Sequence, residues 1–122
     1  MNALTIRLLA VPKAVPLARH AVREHLGDAE ACPDAELCVS ELLANVITHL
    51  GEGTAVTLRV TGTGRAARTR VELTDPDPRA WPVLRQAGGT EESGRGLALL
   101  DAVALRWGVT QGPDGKTVWC EL

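Results

Sequence analysis

Apolar residues recur along this chain at two different spacings, and the switch between them marks the elements. Residues 54–62 (TAVTLRVTG) alternate Val56, Leu58 and Val60 against Thr57, Arg59 and Thr61, the period of a strand with one face buried. Residues 68–75 (RTRVELTD) read as the next strand, and the turn residues Gly62 to Arg65 make 54–75 a β-hairpin. Residues 13–26 place Val15, Ala18, Val22 and Leu26 at near-helical spacing, with Arg19, Arg23 and Glu24 off that stripe, and Gly27-Asp28 as a stop. A second helix starts at Pro33-Asp34 and runs to about Leu50, ended by Gly51 and Gly53. Residues 4–11 suit an edge strand closed by Pro12. Residues 76–93, with three prolines and two adjacent glycines, suit a loop with one helical turn near 82–86. A helix over 94–106 and a closing hairpin of 107–111 with 116–121 complete the chain.

The order β-α-α-β-β-loop-α-β-β brings consecutive strands together as hairpins. It predicts an α+β fold: a two-layer α/β sandwich, a mostly antiparallel mixed sheet with helices on one face. With 122 residues the expectation is a single domain, 1–122. Three Trp with no Phe or Tyr leave the core to Leu, Val, Ile and Ala. A net charge of −2 without a basic patch, and few stacking aromatics, speak against nucleic-acid binding. Cys32, Cys38 and Cys120 have no metal-ligand spacing and read as reduced cytosolic thiols. Met1–Val11 contains Arg7 and no cleavage site, and no run reaches membrane-span length, so a cytoplasmic protein is expected.

Glu41, Asn45 and His49, four residues apart on helix 33–50, form one polar stripe. Apolar positions flank it on both sides: Cys38, Leu42, Val46 and Leu50, and Val39, Leu43 and Ile47. Two readings stand. Either the stripe is the solvent face, or it meets a metal ion, a ligand or water, because a buried carboxylate and carboxamide are costly without partners. Ser93-Gly94-Arg95-Gly96-Leu97 precedes an apolar helical run. Glycines there let the backbone approach an anion at a helix N-terminus, although a plain loop-to-helix junction reads the same way. Asp75 ends a strand before Pro76. It suits either an exocyclic amine such as that of adenine or an Asx turn. Thr117 is, locally, a strand threonine.

In order along the chain, these motifs resemble one superfamily. Ser40-Glu41-Leu42-Leu43-Ala44-Asn45 followed by His49 resembles the N box of the ATP-binding domains shared by gyrase, heat-shock chaperones and histidine kinases (the GHKL, or Bergerat, fold). Among these the chain is most similar to the anti-sigma-factor serine-protein kinases. Asp75 stands where that family has its first glycine-box aspartate, Gly94–Leu100 resembles its second glycine box, and Gly115-Lys116-Thr117 its closing strand. The resemblance implies ATP and Mg²⁺ as cofactors. Asn45 would hold the metal, Glu41 would act as general base toward a protein serine, and Asp75 would bind the adenine amine assisted by Thr117. Gly94, Arg95, Gly96 and Leu97 would lie at the phosphates, with Arg95 either facing them or solvated. It further implies a small antagonist protein and a sigma factor as partners, a role in transcription regulation, and a homodimer. Where the family has glycines two and four residues after the aspartate, this chain has Asp77 and Arg79. That departure keeps two alternatives open: a nucleotide-gated binding module that transfers no phosphoryl group, and a nucleotide-free scaffold.

Overall fold

The computed structural model describes residues 3–27, 29–62, 68–77 and 92–122, with 92–97 as backbone. Among the described residues, five strands and three helices follow in the expected order: β1 (Ala3–Ala10), α1 (Ala14–Leu26), α2 (Cys32–Leu50), β2 (Thr54–Thr61), β3 (Arg70–Asp75), α3 (Glu92–Val103), β4 (Arg106–Gly112) and β5 (Gly115–Glu121). The sheet order is β1-β2-β3-β5-β4, and every pairing is antiparallel rather than mixed. The register Ala10↔Thr54 brings β1 back along β2, and Asp75↔Lys116 sets the end of β3 against the start of β5.

Helix ends follow the local chemistry. Gly27 (φ 59°) closes α1 and donates its N–H to Arg23 O at 2.8 Å, a left-handed exit that only glycine makes without strain. Pro33 stands in the first turn of α2, where its missing N–H costs no helical bond. Gly51 (φ 105°) ends α2, donating to Ile47 O and Val46 O. α3 begins at Glu92 and stops at Val103, earlier at both ends than the sequence pattern suggests. Arg106 leaves the helix because it joins β4, opposite Glu121, with which it forms an ion pair at 2.6 Å. The turn expected after Gly62 and the helical turn near 82–86 lie outside the described residues.

α2 packs against both α1 and α3 and against the sheet, so it is the middle helix. Its Val39, Leu42, Leu43 and Val46 are buried against Leu58, Val60, Val71, Leu73, Val118 and Cys120 of the strands. Glu36 fastens α1 to α2. Arg23 donates to both its carboxylate oxygens, at 2.9 and 3.1 Å, and Arg19 adds a longer contact at 3.4 Å. The Arg23 hydrogen bonds hold the Glu36 carboxyl below the usual carboxylate range. On the open side of the sheet Arg70 lies 4.3 Å over the Trp119 ring and pairs with Glu72 and Glu121. Leu58 is fully buried in β2, an interior strand of the sheet. Leu58→Ala is therefore expected to lower unfolding free energy by about 2–5 kcal/mol, as measured by urea denaturation, with the native circular dichroism spectrum retained.

Candidate functional site

The stripe on α2 faces inward. Asn45 is 3% exposed, Glu41 and His49 are partly buried, and Ala44 and Thr48 mark the solvent side of the helix. Of the two readings of the stripe, the solvent face is thereby excluded for Asn45. Its Nδ2 is buried with no hydrogen-bond partner among the described residues. An orphaned donor costs about 1–3 kcal/mol, which a polar ligand or water would recover. Rotating the carboxamide by half a turn presents its oxygen at the same place.

The facing wall is built by strand alternation. Asp75 continues the inward series Val71, Leu73, and Lys116 continues the series Val118, Cys120. The two meet across the β3–β5 ladder. Lys116 Nζ donates to Asp75 Oδ1 at 3.1 Å, with side-chain exposures of 0% and 1%. The Asp77 N–H donates to the same oxygen at 2.8 Å, and Lys116 Nζ also donates to Asp77 O at 3.0 Å. Asp75 Oδ2 is buried without a hydrogen-bond partner among the described residues. The Asx turn and an open acceptor thus coexist in one side chain: Oδ1 makes the turn, and Oδ2 remains for something else. Gly115 allows this close crossing, since a Cβ there would overlap the Asp75 carbonyl oxygen.

His49 stands in the last turn of α2. Burial first, then the nearby Lys116 charge, pushes its pKa below the ordinary histidine value. The last turn of the α2 stripe therefore lies close to the Asp75–Lys116 end of the sheet.

Thr117 is not part of this arrangement. It points to the opposite, open side of the sheet, where its Oγ1 lies 2.7 Å from Thr74 Oγ1. Successive strand residues face opposite sides, so Thr117 cannot share Asp75's side, and the expected Thr117–Asp75 partnership gives way to Lys116. Lys116 is the site residue that motif reading missed. The signal was present, because a lysine two residues before Val118 and four before Cys120 is in phase with the core.

Gly94 and Arg95 lie in the first turn of α3, and Gly96 and Leu97 follow in the next. Backbone N–H groups of the first turn have no helical acceptor and favour an anion, while those of Gly96 and Leu97 stand in the intrahelical ladder. The side chains of 92–97, including Arg95 and Leu97, and the whole of Arg79 lie outside the described residues. The three cysteines are buried free thiols. A hydrogen bond to Cys120, then burial, raises the Cys38 pKa beyond any physiological range, which keeps it inert.

Among the described residues no group of three or more His, Cys, Asp or Glu could hold a metal ion alone. The buried Asn45 carboxamide, with an atom left unpartnered, has the oxygen-donor chemistry that Mg²⁺ accepts, a cation that takes few protein oxygens alongside phosphates and water. Among the described residues no helix is long and apolar enough to cross a membrane.

The chain matches the histidine kinase-like ATPase domain over residues 8–122, and it belongs to that family. It is 55% identical over 84 residues to an uncharacterized protein of Streptomyces coelicolor, covering 68% of this chain and 79% of that protein. Its fold resembles the crystal structure of the RsbU and RsbW domains of Rv1364c from Mycobacterium tuberculosis. The TM-score is 0.71 at 19% identity, over 99% of this chain and 32% of that one. At that identity the likeness is one of fold, and this chain spans about a third of the larger protein's length.

The His49 shift predicts a pH response. Above the ordinary value of 6.5 the imidazole is neutral whether the chain is folded or unfolded. As pH falls below that value, the unfolded chain takes up a proton that the folded chain refuses, so stability drops. Urea midpoints at pH 7.5 and 5.5 should show a loss on the acid side that is smaller in His49→Gln. An equal loss in that variant would contradict the assignment.

Proposed function

We propose that this chain, as a single domain in the cytoplasm, binds ATP with Mg²⁺ between α2 and the β3–β5 end of the sheet. In this reading it is a serine-protein kinase of the anti-sigma-factor type that acts on a small antagonist protein and thereby regulates transcription. A sigma factor and a second copy of the chain are its further partners. One observation carries the reading: two buried polar side chains from facing layers, Asn45 and Asp75, each keep an atom without a protein partner. Membership of an ATPase-domain family supplies the ligand class, and the likeness to a chain containing an RsbW domain supports the regulatory role.

In this reading Asp75 Oδ2 accepts the adenine amine. Asn45 offers its oxygen to Mg²⁺, which would neutralise phosphate charge. The first-turn N–H groups of α3, at Gly94 and Arg95, receive phosphate oxygens. Glu41 stands one helical turn before Asn45, at the solvent border of α2, where a partner's serine can reach it. It takes the hydroxyl proton as the serine oxygen bonds to the γ-phosphorus. The bond to the bridging oxygen breaks and ADP leaves. Positioning and charge stabilisation supply most of the rate in such transfers.

A second reading, nucleotide-gated protein binding without transfer, is favoured by one observation. Asp77 stands at a family glycine position, and its carbonyl is held by Lys116, which ties the start of the 76–91 segment to β5.

Labelled ATP and a cognate antagonist protein separate the two readings. Glu41→Gln is expected to lose transfer by about 10²–10⁴-fold while binding nucleotide like the wild type. Transfer that survives in this variant overturns the base assignment. Asn45→Ala is expected to lose Mg²⁺-dependent nucleotide binding while keeping its fold, and unchanged binding would remove Asn45 from the site.

A further inference from the structure

We propose that Lys116 determines which nucleobase the site accepts, favouring a purine that carries an exocyclic amine at the position read by Asp75. The inference rests on the reading of Asp75 as the amine acceptor and assigns a role to a residue that the motif resemblance leaves without one.

Acceptor capacity limits what Asp75 can bind. Each carboxylate oxygen has about two lone-pair sites. Those of Asp75 Oδ1 are both filled, by the Asp77 N–H at 2.8 Å and by Lys116 Nζ at 3.1 Å. Lys116 is fully buried and anchored a second time on Asp77 O, so the Asp75 carboxylate is held by the backbone on one side and by a fixed cation on the other. One oxygen, Oδ2, remains to accept a hydrogen bond.

A single open oxygen discriminates among purines. Adenine presents one amine donor flanked by an acceptor nitrogen, and a single carboxylate oxygen satisfies that amine. Guanine presents two adjacent donors, its ring N–H and its amine, which a carboxylate pairs fully only with both oxygens. With Oδ1 occupied, one guanine donor is left buried and unpaired. Hypoxanthine has a carbonyl where adenine has its amine, which sets oxygen against oxygen. A polar site rejects an analogue strongly when pairing with it leaves a buried group unsatisfied. Without Lys116, Oδ1 regains an acceptor site, the paired contact to guanine becomes available, and the orientation favouring adenine is lost.

The test measures affinities of the full chain for Mg-ATP, Mg-GTP and Mg-ITP in the wild type, Lys116→Met, Lys116→Gln and Asp75→Asn, with thermal unfolding of each. The wild type is expected to favour ATP over both others. Lys116→Met is expected to lower the ATP-to-GTP affinity ratio by about tenfold or more, the scale of one misplaced polar contact. Lys116→Gln keeps an N–H donor and is expected to retain most of the preference. A folded Lys116→Met with the wild-type ratio overturns the inference and leaves the ATP site standing. Should Lys116→Met fail to fold, the wild type decides: ATP bound no more tightly than GTP overturns the inference, and a clear ATP preference supports it. No ATP binding by the wild type, or full ATP affinity in Asp75→Asn, overturns the underlying reading of Asp75 instead.

Discussion

Two opposite charges, Asp75 and Lys116, meet at 3.1 Å with both side chains out of water. Charges enter an interior only as a hydrogen-bonded pair, because each alone would lose several kcal/mol of hydration, a cost on the order of the whole stability of a small domain. The pair therefore constrains its surroundings. β5 must start at Gly115, whose lack of a Cβ lets the Asp75 carbonyl pass. The chain after β3 must turn so that the Asp77 N–H and carbonyl reach the same two side chains. At the end of α2, burial and then the lysine charge lower the pKa of His49. Among the buried atoms still without a hydrogen-bond partner in the described residues are one oxygen of Asp75 and the amide nitrogen of Asn45.

Most of the fold could be read in the chain because its signals are local. Val56, Leu58 and Val60 alternate, Ala18, Val22 and Leu26 keep helical spacing, and Gly27 and Gly51 stop their helices where the spacing ends. The end of α3 was less legible, since Leu105 and Arg106 continue a helical pattern until cross-strand pairing with Glu121 claims Arg106. The site was legible as far as residue identity went on α2, where a four-residue spacing and apolar flanks already set Asn45 apart. On β5, motif reading and strand phase pointed to different residues. The motif suggested Thr117. The alternation with Val118 and Cys120 selects its neighbour, and burial of a lysine tells against expecting it there unless the carboxylate opposite is considered at the same time. The pairing of Glu36 with Arg19 and Arg23 was not legible either, because it depends on how two helices are rotated against each other.

The polar groups divide between holding and binding. Glu36 is satisfied by arginines of α1, and Thr74 and Thr117 satisfy each other on the open side of the sheet. Asn45 and Asp75 are not fully satisfied, and they stand on different layers, helix α2 and strand β3. That contrast, more than any one motif, is why the ligand reading centres on these two residues while Glu41, at the solvent border, carries the question of transfer.

The central claim is that the space between α2 and the β3–β5 end of the sheet takes up Mg-ATP. Isothermal titration calorimetry of the intact chain with Mg-ATP tests it most directly. The account predicts a saturable, one-site heat that disappears when Mg²⁺ is chelated. No heat of binding at millimolar nucleotide would contradict it and favour a scaffold that works without nucleotide.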